Sequence, residues 1–251
     1  PPPINGDQKL RVNLSIAIFN IVEINELKDS IQIKMKITRS WFDSQLTYQN
    51  LLKQRTNSLS PKDIDRVWIP SNPFENIVHM DKMIKTDQRD LLLIVPSADF
   101  AHSLADNTYI HNTQLFQGDQ NHLHYERQFT VEWLCEYHMA WFPFDTQSCT
   151  MQFRNDQDSV DLLPAEVSYS GPMELPQHIV REIKICSAVI QGDQGVIVEI
   201  ILTRPLFSSF ITTTLPTGIL IIISQMAATF SKEYLDMVIQ VNLTVLLVLA
   251  T

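Results

Sequence analysis

One stretch constrains this chain more than any other. It reads Cys135-Glu-Tyr-His-Met-Ala-Trp-Phe-Pro-Phe-Asp-Thr-Gln-Ser-Cys149, two cysteines enclosing thirteen residues. Pro143 holds φ near about −65° and favours a turn, and Asp145 is short enough to hydrogen-bond the backbone of the same turn. The flanks alternate like strands. Phe129, Val131, Trp133 and Cys135 fall on one side before the loop, and Cys149, Met151 and Phe153 after it. A disulfide between the two cysteines closes a compact loop between two strands. In the chain-entropy model such closure is worth about 3 kcal/mol.

The same period runs through residues 11–204. Val12, Leu14, Ile16 and Ile18 alternate with Asn13, Ser15 and Ala17. Ile31, Ile33, Met35 and Ile37 alternate with Gln32, Lys34, Lys36 and Thr38, and a turn over 23–30 lies between. Further strands are expected over 90–95, 122–135, 149–153, 181–190 and 196–203. Turn chemistry at 117–121 and 191–195 separates them. Many short strands with no helical period between them predict an all-β, immunoglobulin-like antiparallel sandwich. Two short helical pieces are expected, one near the N-terminus and one over 47–54.

At Arg204 the composition changes. Residues 205–231 hold no charge over 27 positions, more than the ~20 that cross a bilayer core as a helix. Pro216 and Gly218 are tolerated in such a helix where neighbours satisfy the freed backbone. A polar link follows, and a second uncharged run over 237–251 reads as a truncated second crossing helix. The expected organisation is therefore an extracellular sandwich over 1–204 and membrane helices over 205–251, about 205–230 and 236–251. On the second helix Gln240, Thr244, Leu247 and Thr251 share one face. A helix lining a water-filled pore has use for such a polar stripe. Hydrogen bonding within a helix bundle is the other reading.

Composition narrows the function. The net charge of −9 argues against nucleic-acid binding, which wants a basic surface. Paired cysteines imply an oxidising compartment, and Cys186, the third, is expected as a buried small apolar residue. Asn13-Leu-Ser15 fits the glycosylation acceptor pattern. Among His102, His111, His122 and His124, the last two share a strand face, yet zinc sites need three or four ligands, so no metal site is assigned. No nucleophile–base motif or phosphate-cradling glycine loop is present. Neither an enzyme nor a cofactor is expected.

Taken together, these residues resemble the Cys-loop receptors, the pentameric ligand-gated ion channels that include the nicotinic, serotonin, GABA and glycine receptors. The cysteine spacing and the Phe-Pro-Phe-Asp-x-Gln-x-Cys ending both agree. Trp41-Phe-Asp43 is similar to the family's Trp-x-Asp, and Trp68-Ile-Pro70 to its Trp-x-Pro, with Asn76 at a later asparagine. Tyr125-x-Arg127 resembles the strand leading into the loop. Arg204 and Pro216 match the arginine before, and the proline within, the first membrane helix. The family's third and fourth membrane helices and its intracellular loop have no counterpart in this sequence.

The resemblance implies a multi-pass plasma-membrane protein in which five identical or related subunits surround a pore. A small-molecule agonist binds between neighbouring subunits, with membrane lipid and permeating ions as further partners. It also implies that Glu26 pairs with Arg204, and that the tip Phe142-Pro143-Phe144, with Asp145, couples the sandwich to the helices. At the binding positions the chain departs from the amine-binding members. These hold a cation against aromatic rings, each worth about 0.5–2 kcal/mol. Here Lys36 stands for one ring, Pro73, Phe74 and Glu75 follow Trp68, and Asp156 follows the second cysteine. The last hairpin offers Ile190 and Asp193 and no aromatic residue. Phe74 and Tyr125 are the remaining rings, and Lys36 and Arg127 attract a carboxylate while Asp156 and Glu75 attract a cation. A zwitterionic or amphiphilic agonist is expected rather than a simple ammonium.

Anion-selective members carry Pro-Ala-Arg before the pore helix. This chain has Tyr234-Leu-Asp236-Met237 there, and a ring of Asp236 carboxylates favours cations. The alternative is that Asp236 caps the helix and faces away from the pore. Leu247 is expected to form the hydrophobic ring that dewets the closed pore. The competing functions are an anion-selective channel of the same family and a non-conducting, membrane-tethered binding protein.

Overall fold

The computed structural model describes residues 2–3, 9–49, 51, 57–71, 74–78, 91–96, 115–154, 157–228 and 235–250. The chain divides into two compact units. The first comprises Pro1–Tyr137, Ser148–Met173 and Arg181–Ile201, and the second His138–Gln147, Glu174–Val180 and Leu202–Thr251.

Eleven strands are found among the described residues: β1 (Leu10–Asn25), β2 (Ser30–Trp41), β3 (Thr47–Gln49), β4 (Asn57–Ser58), β5 (Leu91–Val95), β6 (Leu115–Gln117), β7 (His122–Leu134), β8 (Thr146–Phe153), β9 (Val160–Tyr169), β10 (Ile179–Ile190) and β11 (Asp193–Thr203). One sheet runs β4-β5-β7-β2-β1-β9, a second runs β10-β11-β8, and β3 pairs with β6. The expected alternation builds the core. Val12, Leu14, Ile16 and Ile18 of β1 and Ile31, Ile33, Met35 and Ile37 of β2 are fully buried, as are Val196, Val198 and Ile200 of β11. Trp133 of β7 meets Phe153 of β8 at 5.2 Å between ring centroids, bridging the two sheets. The Cys135–Cys149 disulfide, with Cα atoms 5.0 Å apart, joins the same two strands.

The structure differs from the sequence expectation at several points. Residues 47–49 are strand and not helix, because Tyr48 pairs with Phe116 across the small sheet and is buried there. The expected N-terminal helical piece falls outside the described residues. Cys186 is exposed rather than buried, because β10 is an edge strand whose side chains alternate outward. Strand β9 was not anticipated. It lies parallel to β1 at the other edge, and its Pro164 stands opposite Leu14 beside a register shift. Proline belongs at such an edge irregularity, where no ladder hydrogen bond is demanded of it.

Two turns follow from glycine. Gly118 approaches the backbone so closely that a Cβ would lie 2.0 Å from the Asp43 carbonyl oxygen. The β10–β11 connection is Gln191-Gly192, with φ of 52° and 98°, the two positive values of a type I′ hairpin.

The second unit contains helices α2 (Leu206–Ser209), α3 (Leu215–Ala228) and α4 (Leu235–Ala250), with a π segment, Phe210–Thr214, between the first two. The sequence predicts one uninterrupted helix over 205–230. The structure instead has a helical run over 206–228 divided by the π segment, which sits just ahead of Pro216. Among the described residues no helix is long and apolar enough to cross a membrane. Helix α1 (Pro61–Ile64), in the first unit, is a single turn with proline at its start.

Candidate functional site

The disulfide loop is organised by two side chains. Gln147 clamps it across its width: its Nε2 donates to the His138 carbonyl at 3.0 Å, and its Oε1 accepts from the His138 N–H at 2.8 Å. The single Arg204 Nε–H is then shared between the two carboxylate oxygens of Asp145, at 2.8 and 3.0 Å. Asp145 is 5% exposed and Arg204 7%, so the pair is withdrawn from solvent. Burial pushes the Asp145 carboxyl up, but the hydrogen bonds from Gln147 and Arg204 and the charge of Arg204 outweigh it and hold the group below the usual carboxylate value. The Arg204 guanidinium also lies 4.8 Å from the centroid of the Phe142 ring. Phe144 remains 73% exposed and Trp141 79%, so the tip presents aromatic surface outward.

The resemblance pairs Arg204 with Glu26. Asp145 is a carboxylate that meets Arg204 in the structure. Glu26 lies near Tyr137. Burial first, then the charges of Glu26 and Asp29, push that phenol up, and its hydroxyl donates to the Ser30 carbonyl at 3.2 Å.

The expected ligand residues separate into three groups. Phe74, Tyr125 and Ile190 pack into the core of the single chain. Each is at least nine-tenths buried, and Phe74 sits 5.0 Å from Phe129 and 5.5 Å from Trp133. Period 2 is the cause: Tyr125 shares the inward face of β7 with Leu123 and Val131. Arg127 lies on that face too, its guanidinium 5.3 Å from the Phe129 ring. Lys36 lies on the opposite face of β2 and pairs with Glu126 at 3.2 Å.

The third group forms a compact charged cluster. Arg154 Nε meets Glu75 at 3.2 Å, its Nη1 meets Asp193 at 3.4 Å, and Gln191 Nε2 donates to Glu75 at 2.6 Å. The cluster ties the β10–β11 turn to the segment at 74–78 and to the end of β8. Arg154, its centre, escaped the sequence reading because it sits one position past the last alternating residue of its strand. Asp156 and Pro73 lie outside the described residues.

Helix α4 carries Asp236, Gln240, Thr244 and Leu247 on an exposed face, while Val245 is buried. Asn242, not this stripe, meets α3, where Ser224 donates to its side-chain oxygen at 2.6 Å. Thr244 turns its hydroxyl back to the Gln240 carbonyl of its own helix. Thr251 lies outside the described residues.

His122 and His124 occupy one face of β7, 6.0 Å apart, and Phe42 stacks on His122 at 3.7 Å. Burial lowers both imidazoles, and for His124 the neighbouring His122 adds to it. Among the described residues no group of three possible metal ligands occurs. His102 and His111 lie outside them. Asn13 sits half-buried near the start of β1, paired with Ser40 on one side and Leu163 on the other. The acceptor pattern therefore lies on a strand and not on a loop.

The family profile described as the neurotransmitter-gated ion-channel ligand binding domain matches residues 1–179. The chain belongs to that family, the Cys-loop receptors. It is similar to an acetylcholine receptor gamma subunit of Gallus gallus, 22% identical over 64% of this chain and 26% of that protein. It is also similar to a betaine receptor of Caenorhabditis elegans, 22% identical over 69% of this chain and 29% of that protein. A serotonin-gated chloride channel of Caenorhabditis elegans is 22% identical over 68% of this chain and 32% of that protein. The chain therefore spans about a quarter to a third of the length of the curated relatives it matches.

Proposed function

We propose that this chain is a subunit of a pentameric, plasma-membrane ligand-gated cation channel, opened by a small zwitterionic or amphiphilic agonist bound between subunits. The observation that carries this reading is the buried Asp145–Arg204 pair. It joins the disulfide loop to the residue that precedes the helical run, 2.8 Å apart and nearly free of solvent. A displacement of the loop is thereby delivered to the start of the helices. The run over 206–228 and α4 are assigned as the first two membrane crossings, with Gln240, Thr244, Leu247 and Thr251 facing the pore.

Agonist opens such a channel only if it binds the open state better than the closed one. In a ring of copies, the Lys36 face of one subunit meets the Glu75–Arg154–Asp193 cluster of the next. Lys36 and Arg154 then offer cations to an agonist carboxylate, and Glu75 and Asp193 offer anions to its cationic end. Among the described residues no aromatic box is assembled, which counts against a simple ammonium. The relatives named above for acetylcholine, betaine and serotonin show how far ligands diverge at this level of identity.

The test is a voltage clamp on cells expressing the full-length protein, with Leu247→Ser beside the wild type. A polar residue at a dewetting ring eases opening, so a standing current absent from the wild type is expected. Surface protein that carries no current in either form would sink the channel reading and leave a tethered binding protein.

A further inference from the structure

A cleft in the first unit, built without Lys36, Glu75, Arg154 or Asp193, has the character of a second binding site. It lies between the end of β3, the β4–β5 pair and helix α1, and has a volume of about 740 Å³. That falls within the roughly 300–1,000 Å³ of ordinary small-molecule sites. Its walls are fixed by backbone pairing. Asn57 and Ser58 pair with Ile94 and Leu93, and the Leu59 N–H donates to the Leu92 carbonyl at 2.9 Å.

Among the described residues the cleft combines an apolar floor with one cation. Leu46, Leu51, Leu59, Val67 and Ile94 line it, and Arg66 stands exposed on the wall. No described residue pairs with the Arg66 guanidinium. Asp63, the acid on the same wall, is engaged by Ser60, whose hydroxyl donates to it at 2.6 Å. A guanidinium that presents its fork beside an apolar surface is suited to a planar carboxylate. Tyr48 also lines the cleft, and its buried hydroxyl has no hydrogen-bond partner among the described residues. Burial first, and the charge of Asp43 second, keep that phenol protonated, so it is available as a donor. A buried donor left unpaired is costly, and an acceptor brought by a ligand relieves that cost.

We propose that this cleft binds a small amphiphilic carboxylate, with its apolar body against Leu46, Leu51, Leu59, Val67 and Ile94 and its carboxylate on Arg66. The site is independent of the agonist reading, since it uses none of the same residues and needs no neighbouring subunit.

The experiment is photolabelling of membranes from cells expressing the full chain. The probe is benzoic acid with a para trifluoromethyl-diazirine, and insertion is mapped by peptide mass spectrometry. Label is expected in the peptides spanning 46–51 and 57–67. It should fall at least fivefold in Arg66→Ala, an exposed position whose loss leaves the fold intact, and at least fivefold for the uncharged benzamide analogue. Label in those peptides that is indifferent to both changes overturns the carboxylate assignment. Absence of label there in the wild type overturns the site. Neither readout depends on channel current, so failure here is distinct from failure of the channel reading.

Discussion

Arg204 occupies a position where a lone guanidinium could not stay. Removing one partner of a buried pair leaves an uncompensated charge and costs about 3–5 kcal/mol, whereas replacing both can be nearly neutral. Asp145→Asn and Arg204→Gln are each expected to destabilise the second unit by about that amount. The double substitution should recover part of the loss in a cycle measured by thermal unfolding. The sign of the pH dependence follows from Asp145, whose carboxyl is held below its ordinary value in the folded chain. Its stabilisation is fully present above the unfolded value of about 3.9 and is lost as pH falls through the lower folded value. Unfolding followed below about pH 4 should show that slope in the wild type and not in Asp145→Asn. Equal slopes would remove Asp145 as its source.

The partners of Arg204 were only half legible. The motif marks Asp145, but as a turn former, and the arginine is far away in sequence. Gln147 also belongs to the motif, yet its clamp on His138 is a product of the closed loop. Arg39 is a residue that alternation alone flags. It falls on the apolar face of β2 by simple alternation and, 1% exposed, donates from Nη1 to the carbonyls of Pro70 and Ser71 at 2.6 Å each. A charge on an apolar strand face predicts such a backbone clamp even where its target cannot be read.

At the scale of elements, strands with clean alternation were readable and those set by distant pairing were not. β1, β2 and β7 declare themselves, while β3 exists because Thr47–Gln49 finds Leu115–Gln117. β9, with Pro164, reads as a breaker until it is seen as an edge. The turns were legible because glycine is required there. Gly118→Ala puts a methyl group into the carbonyl oxygens of Asp43 and Leu46, at 2.0 and 2.9 Å. Backbone cannot yield as a flexible side chain does, so a loss of about 3 kcal/mol is expected in urea unfolding. A value near zero would show that the turn can shift freely.

The β10–β11 hairpin carries the element-scale prediction closest to function. Its tip is secured by Arg154 through Asp193, and by Gln191 through Glu75. The charged groups Arg154, Glu75 and Asp193 are 20–32% exposed, so solvent screens them and each pair is worth about 1 kcal/mol at most. Arg154→Ala should therefore raise amide hydrogen exchange at 191–193 by about fivefold without unfolding the sandwich. High salt should produce part of the same rise in the wild type. A hairpin indifferent to both would not be held by charge, and the zwitterion reading would lose the side of the site that it assigns to Glu75 and Asp193.

For the whole molecule, the channel reading proposed above turns on Asp236. Asp236 lies in the first turn of α4, exposed, four residues before Gln240 on the same face. On one subunit it does no more than favour the helix N-terminus. Repeated around the ring proposed above, it would become a band of negative charge at one mouth of the pore, and rings of acidic side chains select cations. The two roles separate experimentally. With Leu247→Ser providing current, the wild-type mouth should give a reversal potential that follows the sodium gradient, about 59 mV per tenfold change for a fully selective monovalent pore. Adding Asp236→Lys should move it most of the way toward the chloride potential. Adding Asp236→Asn should weaken selectivity without reversing it. A reversal potential unmoved by either change would assign Asp236 to the helix terminus and leave selectivity to another ring.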